Sequence, residues 1–541
     1  MKNLLIFIIC LLASHSSSSQ NTVGTLLNTD AAYNAYTLFA PTTSNQTYLI
    51  NNCGQIINQW TSNFLPGASV YLLENGNLLR TAKITNSDIS LGGLGGKIEL
   101  FDWDNNLLWE YTYSSPLMSQ HHDIYPLPNG NILMLAVTTL TNSEAIQAGR
   151  NPSRIPENKL YNEQILELQP IDNTEANIVW EWNIKDHLVQ DFDFNKDNFG
   201  SVKNSPQLLD INFLNNGNGE ANWLHFNSIQ YNESLDQIIM SSRHLSEIYI
   251  IDHSTTTAEA ATHSGGIYAK GGDFLYRWGN PKAYNCGTDD DQKLFSQHYP
   301  HWIPDGLNDA GKIMIFNNGN TLGYSSVDII NPDQSSPGVY YFDSVNGYSP
   351  LDQEWQYQAP NQTNFFSELM SSGQRLQNGN TLICDADSGY FFEIDSDRNI
   401  VWEYINPDST IEILTQGDTP SNNLVFRAIK YSLDYPAFIG RDLTPGTTIE
   451  ANSNLFCNIL NVVDYALKES QIKIHPNPVL DYFTIEALKE IKKVEIYTIS
   501  GQLLKVIDNT NTVNIEDLSS GIYLIKINTD DGSITRKIIK N

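Results

Sequence analysis

Two short patterns recur along most of this chain, and together they leave few folds open to it. The first is Asn-Gly-Asn followed by an apolar run: ENGNLLR at 74–80, PNGNILM at 128–134, NNGNTLG at 317–323 and QNGNTLI at 377–383. Asn-Gly supplies the positive φ angles of a tight hairpin turn, so each copy reads as a turn that opens a strand. The second is a strand carrying Trp, usually continued by Glu and an aromatic: LLWEY at 107–111, IVWEW at 178–182, LYRWG at 275–279, QEWQY at 353–357 and IVWEY at 400–404. Helical periodicity is nearly absent. Repeats at this spacing, each with several short strands, predict the blades of a β-propeller rather than a sandwich. The Trp strands give five complete units. A sixth comes from joining the two ends. Residues 47–60 have the outer-strand pattern and close on Trp60, and 423–433 supply an apolar strand without a Trp partner. Joining them closes the ring and removes the edges an open array would expose. The expectation is an all-β chain with a six-bladed propeller over 21–437, its Trp side chains packed in the core.

Beyond Pro436 the pattern stops. Residues 438–470 read as a linker, with Pro445 and Gly446 near its start and a short amphipathic helix at its end. Residues 471–541 carry the short strands VEIYTI, LLKVI, YLIKI and TRKIIK between Ser-Gly, Asn-Thr and Asp-Asp-Gly turns, the pattern of a small Ig-like β-sandwich. At the other end, residues 1–20 have a basic start, a short apolar run and a Ser-rich exit: a secretory signal, with cleavage near Gln20. No later stretch holds eighteen consecutive apolar residues, so no transmembrane helix is expected. Cys53, Cys286, Cys384 and Cys457 show no CxxC and no tight spacing, which permits one disulfide but no disulfide scaffold. The net charge of −30 argues against nucleic acid or an anionic membrane as partner. Acidic and basic residues balance from Gln471 onward, so the excess lies in the propeller. Any Arg/His cluster there works against the surrounding field.

Such a cluster is present. Residues 222–244 form a hairpin by pattern, with apolar runs at 226–231 and 237–242 around a polar turn at 232–236. A hairpin folds back, which brings His225 at its start near Arg243 and His244 at its end. Imidazole and guanidinium held together can grip a tetrahedral oxyanion, because Arg keeps a charged planar fork of donors. The other candidates also stand where blades begin: His121 and His122 in QHHD, and His298 and His301 in SQHYPH. Zinc is disfavoured, since neither carboxylate nor thiolate accompanies these histidines at ligand spacing and an adjacent Arg repels a cation. There is no Gly-x-Ser-x-Gly elbow, phosphate loop or dinucleotide fingerprint, so no cofactor is expected. His187, His253 and His263 read as structural or surface residues. The insertion at 143–160, with Arg150 and Arg154, reads as a solvated loop, with a lid as the alternative.

Two resemblances extend this reading. The tail is similar to the type IX secretion C-terminal sorting domain, through HPNPV at 475–479, ISGQ at 499–502, LSSGIY at 518–523 and the basic Arg536-Lys537. His475 then belongs to a sorting signature, and the resemblance implies export to the cell surface or medium with the type IX machinery as a partner. The propeller resembles the bacterial arylsulfate sulfotransferases, through HHDI at 121–124 before a Pro-Asn-Gly-Asn turn, WLHFNS at 223–228, SSRHLS at 241–246 and QH at 297–298. That resemblance implies transfer of a sulfuryl group from a phenolic sulfate ester to a phenol, without a nucleotide donor. Carried over by position, His298 is the nucleophile, while His225, Arg243 and one of His121 and His122 hold the sulfuryl oxygens. It assigns no role to His244 or His301. The chain departs from the better-known periplasmic members, which carry an extra N-terminal β-domain. Two other functions use the same ring: a non-catalytic ligand-binding propeller, whose ligand affinity survives loss of His298, and an aryl sulfatase, which releases sulfate without added phenol.

Overall fold

The computed structural model describes residues 21–409, 412–451, 453, 472–487, 491–498, 503–529 and 532–541. The expected signal, the expected linker helix and Cys457 lie outside them. The chain divides into two units, residues 1–455 and 456–541.

Strands of the first unit form six four-stranded antiparallel arrays. Their innermost strands are Pro66–Leu72, Met118–Pro126, Phe226–Asn232, His298–Trp302, Ser372–Arg375 and Val425–Ser432. Each of these packs beside the next, and the last returns to the first. The fold is all-β and propeller-like. Val425–Ser432 pairs with Ala35–Pro41, which continues into Gln46–Ile50 and Ile56–Thr61. The two chain ends thus share one sheet, with Ala35–Pro41 inserted between the segments expected to meet. A strand absent from the sequence reading, Gly24–Asn28, adds to the outer edge of the fifth array along Ile400–Ile405.

Three Asn-Gly-Asn copies share one turn. Gly76, Gly130 and Gly379 adopt φ of 85°, 86° and 90°. Their N–H groups donate to the carbonyls of Leu73, Leu127 and Leu376. The copy at 317–323 is a correction. Here the strand Ile313–Asn317 precedes the motif, and the next strand begins only at Ser326. Its first two asparagines are drawn into side-chain bonds: Asn317 Nδ2 donates to the Lys293 carbonyl at 2.9 Å, and Asn318 enters the site described below.

Tryptophans of the outermost strands lock each array to its neighbour. Indole N–H groups of Trp60, Trp109, Trp278 and Trp402 donate to the carbonyls of Asp102, Glu175, Pro350 and Asn52 at 2.7–2.9 Å, and Trp180 donates to Thr255 Oγ1 at 3.1 Å. Trp355, in the fourth array, instead packs under the Arg375 guanidinium of the fifth, 4.3 Å from its ring centroid. A buried indole needs an acceptor. For these five indoles that acceptor belongs to the next array or to a loop between its strands.

Residues 438–451 stay on the first unit instead of leaving it. Phe438 is buried edge-to-face on Tyr36, Arg441 lies over Trp103, and Gly446 N–H donates to the Ile56 carbonyl at 2.8 Å. The insertion at 143–160 is a folded pad, not a solvated loop. Its helix Asn142–Gln147 has a Thr141/Glu144 capping box, and Arg150 is buried, bonded to the Arg154 and Ile211 carbonyls beneath Trp223. Cys53 is disulfide-bonded, and Cys286 and Cys384 are buried free thiols.

The second unit is a β-sandwich of a three-stranded and a four-stranded sheet around Val479, Phe483, Val494, Ile496, Ile525 and Ile527. The motif ISGQ at 499–502 lies outside the described residues, and the others include residues with plain structural jobs. Tyr523 Oη donates to the Ser519 carbonyl at 2.7 Å. Asn477 both donates to the Lys537 carbonyl and accepts from Ile539 N–H. His475 is exposed beside Glu486.

Candidate active site

Three innermost strands begin with a defect in their pairing. Bulges fall between Gln120 and Ile124, between Phe226 and Ser228, and between His298 and His301. At or beside each, a non-glycine residue takes left-handed backbone: His122 (φ 48°), His225 (φ 51°) and Tyr299 (φ 50°). Such residues cost about 1–3 kcal/mol each and concentrate where function needs a side chain re-aimed. The result is convergence. His122, His225, Arg243 and His298 line one cavity of about 610 Å³, walled elsewhere by Ile89, Leu91, Leu369, Met370 and Phe426. His121 does not line it. It sits behind His122, Nδ1 to Nδ1 at 2.9 Å, with Glu163 Oε2 3.0 Å from its other nitrogen. His301 is buried elsewhere, facing the Tyr299 carbonyl.

Each cavity imidazole is set by a second residue. The buried Asn318 accepts from His298 Nδ1–H at 2.7 Å, and its own amide donates to the Ser367 and Met370 carbonyls, which fixes which end faces the ring. His298 Nε2 is therefore the unprotonated nitrogen, and it accepts a long 3.2 Å bond from Met370 N–H. Burial and then the Arg243 charge push His298 down to about 3. It is a neutral base at any physiological pH. Asn222 donates to His225 Nδ1 at 2.8 Å, so the neutral ring carries its proton on Nε2. The Asn222 carbonyl accepts from His244 Nδ1–H at 2.8 Å, and the His225 and His244 rings lie 4.8 Å apart. Burial, reinforced by the neighbouring positive groups, lowers His122, His225 and His244. Arg243 stays the fixed cation, with Glu368 and Asp387 offsetting its burial.

The roof is residues 84–95. Gly93 accepts from His122 N–H at 2.7 Å, and a Cβ on Gly93 would fall 2.3 Å from the His122 ring, one on Gly92 2.9 Å from His225. The insertion braces this roof from outside: Lys159 Nζ donates to the Asp88 carbonyl and Tyr161 Oη accepts from Ser90 N–H. Across the ring axis runs a polar layer. Arg427 pairs with Asp123 at 2.8 Å and donates to Tyr71 Oη, Tyr299 stacks 3.7 Å below the guanidinium, and Gln230 donates to Tyr71. Five of the six innermost strands contribute to it.

The first unit's candidate histidines outside the cavity are tied into the scaffold. His187 Nδ1 lies 2.8 Å from Asp273 Oδ1 and its Nε2 2.8 Å from the Ala260 carbonyl, and His263 groups with the same two side chains at distances that could hold a cation. Burial would lower His253, but hydrogen bonds to Asp236 and Glu167 outweigh it and raise the ring to about 9. Asn318, Asn222, Met370, Gly92–Gly93 and Glu163 were not read as site residues from the sequence. The only signals were an Asn-Gly-Asn copy that follows a strand instead of opening one, and the unexplained run LGGLGG at 91–96.

Comparison with known proteins decides the family. Residues 25–428 match the family described as Arylsulfotransferase (ASST). The chain belongs to that family. As a member of the arylsulfotransferase family it carries sulfotransferase chemistry at the level the family shares. Residues 473–541 match the Secretion system C-terminal sorting domain, which marks the protein for type IX export and for secretion or attachment at the cell surface. No curated protein matches. Solved structures are distant: a protein of unknown function from Bacteroides caccae (10% identity, TM-score 0.39, covering 73% of this chain and 98% of its own) and a periplasmic gluconolactonase from Pseudomonas aeruginosa (9%, 0.35, 93% and 99%). Among the described residues no helix is long and apolar enough to cross a membrane.

Proposed function

We propose that this arylsulfotransferase moves a sulfuryl group from a phenolic sulfate ester to a phenolic acceptor through a sulfohistidine at His298, without a nucleotide donor. The observation that carries this reading is the state of His298: a buried, neutral imidazole with its proton held on Nδ1 by Asn318 and its Nε2 lone pair on the cavity side. Attack forms the Nε2–S bond as the S–O(aryl) bond breaks and the phenolate leaves. An acceptor phenol then forms a new O–S bond as Nε2–S breaks, giving two half-reactions in sequence. Sulfuryl transfer shares with phosphoryl transfer a loose, in-line transition state with charge on its equatorial oxygens. Arg243 and the Nε2–H of His225 supply fixed donors there, and Met370 N–H becomes a third once Nε2 is engaged. The phenols are the proton's other carriers: His122 gives one to the departing phenolate and takes one from the acceptor. An apolar wall of Leu91, Leu369 and Phe426 suits an aryl ring.

The test is release of nitrophenolate from 4-nitrophenyl sulfate, with and without phenol, in the wild type and in His298→Asn. The expected result is phenol-dependent release, lost by at least about 10³-fold in the variant, with sulfation of His298 detectable by mass when phenol is withheld. Release that ignores phenol and yields free sulfate would make the protein a hydrolase instead. A folded wild type that binds aryl sulfates and never turns them over would be a ligand-binding ring.

A further inference from the structure

Behind His122 lie two buried side chains, His121 and Glu163, that the transfer reaction has not used. His122 presents Nε2 on the cavity side, because its Nδ1 is engaged 2.9 Å from His121 Nδ1. Two such nitrogens at that distance must share one proton. Beyond His121, Nε2 stands 3.0 Å from Glu163 Oε2, and both residues are 1% exposed. That contact has ion-pair distance without hydrogen-bond geometry. The other oxygen, Glu163 Oε1, accepts from Phe226 N–H at 3.0 Å, on the strand that begins beside His225. A carboxylate buried this deeply needs a cation beside it, and His121 is the group in place to be one.

We propose that Glu163 and His121 form a proton store that recharges His122 between the two halves of the reaction. This rests on the sulfotransfer reading above. In the resting arrangement His121 carries both protons opposite the Glu163 carboxylate, and its Nδ1–H donates to His122 Nδ1. His122 is then the Nε2–H tautomer. When the aryl oxygen departs, the Nε2 proton of His122 goes to the phenolate and the Nδ1 proton of His121 passes to His122 Nδ1. His121 keeps its Nε2–H toward Glu163, and His122 now offers a lone pair at Nε2. The acceptor phenol gives its proton to that lone pair as its oxygen takes the sulfuryl group, and the shared proton returns to His121. One proton leaves and one arrives per cycle, and His122 stays neutral throughout, in keeping with its burial among positive neighbours. Glu163 touches no substrate; its carboxylate makes the doubly protonated His121 affordable. It is a positioning residue.

Glu163→Gln keeps an acceptor for Phe226 N–H and removes the charge that stabilises the stored proton. A poor leaving group needs that proton and a good one does not, so the experiment compares phenyl sulfate, whose phenol has a pKa of about 10 like tyrosine, with 4-nitrophenyl sulfate. In the full-length protein, Glu163→Gln is expected to lose at least about tenfold more kcat/KM on phenyl sulfate than on the nitrophenyl ester. His121→Asn should show the same bias, and it carries the test if the glutamine variant does not fold. Equal losses on both esters would make the residues structural supports and overturn the proposal, as would no loss. A wild type that turns over neither ester overturns the sulfotransfer reading first, and the store with it.

Discussion

At the scale of single residues the site is a set of tautomers fixed by amides. A free imidazole divides its proton between two nitrogens, and three rings here have that choice removed by one neighbour: Asn318 for His298, Asn222 for both His225 and His244. The clearest consequence concerns Asn318→Asp. A carboxylate on Nδ1–H favours the protonated ring and raises its pKa. A raised pKa means that His298 is protonated, and so not nucleophilic, below the new value. The wild type, with His298 pushed down to about 3, should keep kcat/KM flat on the acid side to about pH 5 as far as this group is concerned. The aspartate variant should lose activity about tenfold per pH unit below its new pKa. Asn318→Leu removes the anchor without adding charge, and about 100-fold loss in kcat with little change in KM is expected. An aspartate variant with an unshifted pH profile, beside a leucine variant of wild-type activity, would show that Asn318 does not set the nucleophile.

At the scale of elements, the strands and the site differed in how much of them the sequence displayed. Asn-Gly turns and Trp strands are local and periodic, so the arrays could be read, and HHD, His225, Arg243 and His298 stood out because an Arg/His cluster runs against the acidic excess of the chain. Asn318 is twenty residues from the ring it orients and hides inside a false copy of a turn motif. The strand Gly24–Asn28 is short, and its partner lies some 370 positions away; no local pattern announces such a pairing. The glycine roof was missed for another reason: a glycine's role lies in the side chain it makes room for. Gly93→Ala tests that role. Its Cβ would meet the His122 ring at 2.3 Å, and a shift of about 1 Å in a catalytic group can cost about 10²-fold. Gly93 also has φ +68°, so backbone strain must be separated from the clash. Gly130→Ala does so, since it has φ +86° with nothing within 4 Å of its Cβ. Both variants should lose about 1–2 kcal/mol of stability by denaturant titration. Only Gly93→Ala should lose kcat/KM, by about 100-fold. Similar activity in the two would remove the roof from the catalytic argument.

At the scale of the whole first unit, what must hold is the ring. A cavity fed by strands from the second, third and fourth arrays and roofed by a loop of the first keeps its geometry only if no seam opens. Two features guard the seam where the chain ends meet. Val425–Ser432 pairs with Ala35–Pro41 inside one sheet, and the fully buried Trp402 reaches from the fifth array to the Asn52 carbonyl of that sheet at 2.8 Å. The same indole-to-neighbour bond joins four other pairs of arrays, so the closing seam is built like the rest rather than as a weak latch. Trp402→Phe keeps an aromatic ring and deletes one of the two donors to the Asn52 carbonyl, which retains Thr25 Oγ1–H at 3.1 Å; losing that one bond should cost about 0.5–1.5 kcal/mol. If the ring unfolds as one unit, the denaturant midpoint of the first unit falls with its slope unchanged. Trp109→Phe, at an ordinary seam, should then cost a similar amount and also leave one transition. If Trp402→Phe alone splits unfolding into two steps, the closing sheet opens independently. The cavity, whose Phe426 wall comes from that sheet, would then lose activity in the first step.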